Sequence, residues 1–297
     1  DLTTDLNRQS SLTSDAIYLN YQMTFGENER GRIMGGLRRD DFETSSIRVD
    51  QGAVISTEET SPQIGFSYRL NEALTMYSLY SRSVTPNTGS QPLARHITSL
   101  ADGSPFDPEF GEGFDIGAKF DLLEGRLSGT VAFFDVNREN IVRTHPDSDL
   151  VEQVETATGS ILRQQSGEET NQGFEVDFTW FSLENWQLYG GFTYLINSEV
   201  LSSDDPDDVG KPVKWARDLT YSLWSKYNFN ENIFFTTGVI HMDQPEVRDR
   251  VNGSSEFTRW DLGAGYKGSI DEIPFEANIL VKNVTDEYDF ARRATQA

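Results

Sequence analysis

The chain has 297 residues, of which 36% are hydrophobic and 12% aromatic, and it carries a formal net charge of −23 with no cysteine. That much apolar material excludes a disordered chain. The acidity excludes a nucleic-acid partner, because phosphate binding needs a basic face, and the lack of cysteine excludes disulfide scaffolds and thiolate zinc sites. No run approaches the ~18 consecutive apolar residues of a spanning helix. The mean hydropathy of −0.52 is still compatible with a membrane barrel, whose strands need only about 9–11 residues with every second one facing lipid.

In chain order, alternation is the strongest signal. Ile17, Leu19, Tyr21, Met23 and Phe25 alternate with Tyr18, Asn20, Gln22 and Thr24. Phe114, Ile116, Ala118, Phe120 and Leu122 alternate with Asp115, Gly117, Lys119 and Asp121. Phe174, Val176, Phe178 and Trp180 alternate with Gly173, Glu175, Asp177 and Thr179. Leu219, Tyr221, Leu223 and Tyr227 oppose Asp218, Thr220, Ser222 and Lys226, and Phe275, Ala277, Ile279 and Val281 close the series. A strand points successive side chains to opposite faces, so each segment has one apolar and one polar side. No segment shows a helical period over three turns.

These patterns predict strands at 14–25, 31–44, 61–70, 73–84, 112–122, 126–142, 171–181, 185–197, 217–228, 232–242, 256–267 and 274–284. The links alternate in length. Short ones fall at Asn71-Glu72, Leu123-Glu124-Gly125, Ser182-Leu183-Glu184 and Phe229-Asn230-Glu231; long ones at about 85–111, 143–170, 198–216 and 243–255. Short turns at one end and long loops at the other describe an antiparallel transmembrane β-barrel with periplasmic turns and extracellular loops. Trp180, Phe181 and Trp186 flank one short turn, and Tyr227, Phe229, Phe234 and Phe235 another. Such rings are expected to form an aromatic girdle at the membrane boundary.

Several stretches, in order, resemble the C-terminal half of TonB-dependent siderophore receptors. They are Ser61-Pro62-Gln63-Ile64-Gly65-Phe66 with Met76-Tyr77-Ser78-Leu79-Tyr80-Ser81-Arg82-Ser83, Phe114-Asp115-Ile116-Gly117-Ala118-Lys119, and Gly125-Arg126-Leu127-Ser128-Gly129-Thr130-Val131-Ala132-Phe133-Phe134. Further along come Asn171-Gln172-Gly173-Phe174-Glu175-Val176-Asp177, Gly191-Phe192-Thr193-Tyr194, Leu223-Trp224-Ser225-Lys226-Tyr227 and the run Asn278 to Tyr288, the most specific of the set. The stretch from Asn171 to Asp177 resembles the family's Arg-Gly-Phe-Glu type strand, with Asn171-Gln172 in place of the more usual basic residue.

The resemblance implies a 22-stranded barrel plugged by an N-terminal domain, sited in the outer membrane of a Gram-negative bacterium. It implies active import of a ferric siderophore, energised by the TonB-ExbB-ExbD complex. On that comparison residues 1–297 are one partial barrel domain of about twelve strands, lacking the plug, the early strands and a final strand. The terminal Ala294-Thr295-Gln296-Ala297, which is not aromatic, fits that expectation. The rival readings are a passive porin-like channel, a soluble β-rich binding protein, an outer-membrane enzyme, or TonB-dependent uptake of cobalamin, haem or oligosaccharide.

No nucleophile–base–acid set can be picked out of so many Asp and Glu, so no catalytic residue, covalently bound cofactor or resident metal is assigned. Gly263-Ala264-Gly265-Tyr266-Lys267-Gly268 satisfies GxGxxG, but a turn and a strand follow it where phosphate binding needs a helix. The acidic run Asp204-Asp205-Pro206-Asp207-Asp208, and Asp147, Asp149, Glu152 and Glu155, read as solvated loops ahead of calcium sites. For the ligand, the candidates are Arg95, His96, Trp215, Arg217 and His241, with Lys214 beside them. Cations and aromatic rings hold a chelate by charge and stacking. His241 leads among the histidines because it tops a predicted strand, while His145 reads as a loop residue. The acidic chain would repel a tris-catecholate complex more than a neutral or cationic hydroxamate complex.

Overall fold

The computed structural model describes residues 8–48, 51–86, 106–158, 163–214, 216–244 and 256–287. Its strands are β1 Arg8–Phe25, β2 Gly31–Arg48, β3 Gln51–Asn71, β4 Leu74–Thr85, β5 Glu109–Leu122 and β6 Leu127–Thr144. They continue as β7 Arg163–Leu183, β8 Trp186–Ser202, β9 Leu219–Asn228, β10 Ile233–Met242, β11 Phe257–Ile270 and β12 Ile273–Val281. One helix, α1 Ser148–Thr158, lies between β6 and β7. All twelve strands form one sheet in sequence order. Every pairing is antiparallel and joins sequence neighbours. This is an up-and-down meander, the topology of an outer-membrane barrel wall.

The register sorts the side chains into two faces. Phe174 stands opposite Phe133 and Tyr194, and Val176 opposite Val131 and Phe192. The series runs on through Tyr221, Leu223 and Tyr227 of β9 to Phe235 and Val239 of β10, then to Trp260, Leu262 and Ala264 of β11. This apolar face is the exposed one: Ile17 is 73%, Leu19 72% and Ile279 74% accessible. The buried hydrophobic side chains among the described residues are only Phe42, Phe106, Ala132, Val200, Phe234 and Val239. A soluble sandwich would bury its aliphatic face, so the pattern fits a wall whose apolar side meets lipid.

The polar side is the lumen wall, and it packs rings over glycines. A Cβ on Gly265 would lie 2.1 Å from the Phe234 ring, and one on Gly238 would lie 2.3 Å from the Trp224 indole. Each ring needs the bare backbone of the neighbouring strand. Lys226 caps the Phe234 ring at 4.1 Å and Lys267 at 5.6 Å. Phe234 is therefore not part of the outer girdle expected of it. It alternates with Phe235, which does point outward, and its own ring is only 5% exposed on the lumen side. Trp186 and Tyr227 do meet on the outer side, edge to face at 6.5 Å.

Two expectations need correction, the starts of β3 and β7 and the lack of a helix. β3 begins at Gln51 and β7 at Arg163, ten and eight residues earlier than their apolar alternation begins. There the chain has risen past the lipid, so neither face needs apolar side chains. The region read as lacking helices holds α1, started by Asp147, whose carboxylate accepts the Leu150 N–H at 3.0 Å. That is an N-cap contact, so Asp147 has a structural role beyond solvation. The GxGxxG glycines sit within β11, which turns at Asp271-Glu272 into β12 with no helix. Both turn residues have positive φ, 48° and 66°, as a twist-matched two-residue hairpin turn requires.

Gly265→Val is expected to lower stability of the folded barrel by about 1–3 kcal/mol, the range for overpacking. Gly35→Ala, with nothing within 4 Å of its Cβ, is expected to be neutral. Urea titration of the folded, heat-modifiable gel band in detergent measures both.

Candidate functional site

The lumen wall carries a groove of about 330 Å³ lined by Glu175, Asp177, Gly191, Thr193, Thr220 and Ser222. The strand register makes it. Glu175 stands opposite Thr193, and Asp177 opposite Gly191, so two carboxylates face small neighbours. A second groove of about 320 Å³ is lined by Tyr18, Asn20, Arg38, Ser61, Gln63 and Arg82 on β1 to β4, with Arg82 3.6 Å from Glu112. Gln63 Nε2 donates to Asn20 Oδ1 at 3.2 Å across it. Arg38 is committed to Asp40, two residues on, through Nε at 2.8 Å and Nη2 at 2.6 Å. The exposed part of this wall is thus acidic at β7–β8, and its β2 cation is neutralised by its own strand.

Above the wall an ion-pair network joins several elements. Glu169 of β7 is buried to 9% accessibility. Arg143 of β6 donates to it directly, and Arg138 of β6 approaches its other oxygen at 3.5 Å. Arg138 Nε also donates to Glu109 of β5 at 2.9 Å. Arg143 reaches Asp208, in the acidic loop after β8, at 3.8 Å. Asp208 is therefore tied to the wall, whereas Asp205 turns inward on its own loop and accepts the Asp207 N–H at 3.0 Å. The four carboxylates of this loop do not converge as a cation site among the described residues. At the outer end of β7's extension, Arg163 Nε is buried without a hydrogen-bond partner among the described residues. Burial pulls the pKa of that guanidinium below the ordinary arginine value.

Of the residues singled out in the sequence, Arg95, His96 and Trp215 lie outside the described residues. Arg217 and His241 are described, and they meet at one residue. Arg217 donates to the Asp243 carbonyl, and the Asp243 N–H donates to Leu219 O at 2.9 Å. His241 shares its face of β10 with Val239 and Phe235, the side of the apolar wall, and is only 8% exposed. Its ring stacks on Tyr221 at 4.7 Å and 18°. Its Nδ1 contacts Thr258 Oγ1 at 2.8 Å and its Nε2 contacts Asp243 Oδ1 at 3.2 Å. His145 accepts the Asp147 N–H at 3.2 Å, ahead of α1. Sequence reading missed Glu169, Arg143 and Asp243. Their partners come from other strands, and only the register brings them together.

A single antiparallel meander with an apolar exterior and a polar interior defines the wall of an outer-membrane β-barrel. The chain matches the family model for TonB dependent receptor-like β-barrels over residues 2–284, and it belongs to that family. Barrels of this family are outer-membrane proteins of Gram-negative bacteria. It is 30% identical over 225 residues to the metal-pseudopaline receptor CntO of Pseudomonas aeruginosa, covering 73% of this chain and 29% of that one. It is 25% identical over 278 residues to the catecholate siderophore receptor Fiu of Escherichia coli, covering 83% of this chain and 35% of that one. The crystal structure of BauA, the ferric preacinetobactin receptor of Acinetobacter baumannii, superposes with a TM-score of 0.78 at 21% identity, covering 97% of this chain and 41% of that one. The chain thus spans about a third of the length of these curated relatives, from 29% to 35%. The matched proteins are receptors, not enzymes.

Glu169→Ala is expected to leave Arg138 and Arg143 facing each other and to cost about 1–3 kcal/mol locally. Faster limited proteolysis between β6 and β7, with the barrel's gel mobility unchanged, is the readout. Equal cleavage rates would show that the network does not hold that connection.

Proposed function

We propose that this chain forms part of the barrel of a receptor that binds a ferric siderophore outside the cell and imports it with energy from TonB. The observation that carries the reading is family membership over residues 2–284, joined to a lumen wall built of polar residues. In this reading the full-length receptor adds a plug, further strands to a total of 22 and a TonB-interacting segment that meets TonB-ExbB-ExbD. Residues 1–297 are then a partial barrel domain. The siderophore is cargo, and the reading assigns no covalently bound cofactor and no catalysis.

Arg95, His96 and Trp215 are the proposed ligand contacts, supported by their residue types and by their place in predicted outer loops. Arg217 and His241 are proposed to act with them at the loop base, where both engage Asp243. For the ligand class, CntO and Fiu are receptors for chemically different complexes, so kinship does not choose. Charge offers a criterion: Glu175 and Asp177 line an open lumen groove, and a net charge of −23 opposes polyanionic complexes at long range. A neutral or cationic hydroxamate-type chelate is favoured.

The test uses the full-length receptor in detergent, titrated with ferric hydroxamate, catecholate and carboxylate siderophores while tryptophan fluorescence is followed. Saturable quenching at sub-micromolar hydroxamate is the expected result. Tight binding of a tris-catecholate alone would overturn the charge argument and keep the transport reading. No response to any chelate from folded receptor would favour cobalamin, haem or oligosaccharide uptake, or a passive channel.

A further inference from the structure

We propose that His241, Asp243 and Glu256 form a binding site for a divalent transition-metal ion that clamps the base of the β10–β11 connection. The three side chains each offer one donor atom, and these atoms lie within 4.8 Å of one another. Asp243 follows the end of β10 and Glu256 precedes the start of β11, so an ion held by both would close the connection at its base. Arg217, from the β8–β9 connection, is fixed to the same Asp243 by its carbonyl. One ion would therefore tie two outer connections together.

The histidine is what raises this above a patch of surface carboxylates. It is 8% exposed and held on both sides, by Tyr221 stacking and by Thr258. A metal-bound histidine characteristically gives its other ring nitrogen to such a partner, which sets tautomer and ring orientation. Where Nδ1–H donates to Thr258 Oγ1, Nε2 turns its lone pair to the Asp243 carboxylate, and a cation between these two acceptors, with Glu256 nearby, satisfies both. In the other tautomer Nε2–H donates to Asp243 and the Thr258 O–H donates to Nδ1, and that arrangement is the one the ion replaces. The Nε2 to Oδ1 distance is 3.2 Å. Ligand atoms of a tetrahedral site with ~2.0 Å bonds stand about 3.3 Å apart. One imidazole and two carboxylates suit zinc or its neighbours over magnesium or calcium, which take oxygen ligands alone. The site lies on the outward side of the wall at the top of β10. It is separate from the lumen grooves and does not depend on the identity of the cargo.

The experiment is zinc titration of the tag-free, full-length receptor in detergent without siderophore, by calorimetry and by thermal unfolding. Expected are one equivalent of zinc bound and a rise in Tm. His241→Ala abolishes both effects. Thr258→Val weakens binding by about 10- to 100-fold and Thr258→Ser restores it. Glu256→Gln, at an exposed position that cannot disturb the strand ladder, also weakens binding, which keeps the test valid if His241→Ala fails to fold. Absence of zinc binding by the wild type overturns the proposal and leaves His241 as a hydrogen-bonded strand-end residue. Equal affinity in wild type and Glu256→Gln, or a matching Tm rise with calcium, overturns it too. Siderophore quenching is read separately, so loss of either result leaves the other standing.

Discussion

Lipid offers no hydrogen bonds, and that constraint governs the rest of the structure. Every backbone N–H and C=O at membrane depth needs a partner within the protein, and an unmet group costs several kcal/mol. A β-strand cannot meet this alone, since half its groups point to each side. The chain answers with a continuous ladder, each strand bonded to the strand before and the strand after it. The side chains are then released from that task, and their alternation records only what each face touches. The ladder leaves β1 and β12 with one open side each among the described residues.

Within that frame the lumen wall still needs its own packing. Strands in register bring side chains of equal parity side by side, and bulky rings would collide there. The wall alternates ring and glycine across neighbouring strands instead: Trp224 over Gly238, and Phe234 over Gly265. The lysines of β9 and β11 then lay their ammonium groups on Phe234. Their charge is kept in the lumen and their stems cover the ring. Gly265, the middle glycine of a run that looks like a nucleotide motif in one dimension, serves as the seat of an aromatic ring in three.

The parts of the fold legible in the sequence were those in contact with lipid. Phe174, Val176, Phe178 and Trp180 announce β7 because lipid demands an apolar residue at every second place. The same strand's first eight residues, Arg163 to Thr170, are invisible to that reasoning. They are polar on both faces and become a strand only by pairing with β6, as in Arg143 opposite Gln164 and Arg138 opposite Glu169. β3 repeats the lesson, since Thr57 to Ser61 carry no apolar alternation yet pair with β2. Phe234 was misread for a related reason. Two adjacent aromatics must face opposite ways, and proximity to a turn cannot say which one faces lipid. The candidate site was the least legible part. Arg217 and His241 were chosen by residue type, but Asp243, which joins them, is an ordinary loop aspartate until register places it.

The height of the strands gives the wall its second property. A membrane band needs about 9–11 residues of tilted strand. β7 has 21 residues and β8 has 17, so nearly half of each stands clear of the lipid. Above that level the alternating apolar face ends, and charge joins a few buried apolar side chains, Phe42, Phe106 and Val200, in holding strands and connections. Glu169 gathers two arginines from β6, and one of these reaches on to the loop after β8. His241 and Arg217 do the comparable work at the shorter β9–β10 pair, through Asp243. Both clusters sit where a connection leaves the sheet, and both draw partners from at least two separate elements. A wall that fixes the bases of its outer connections restricts where those connections can start and how far they can swing. The outer ion pairs thus complement the inner ladder, one setting where the connections leave the sheet and the other keeping the wall in the membrane.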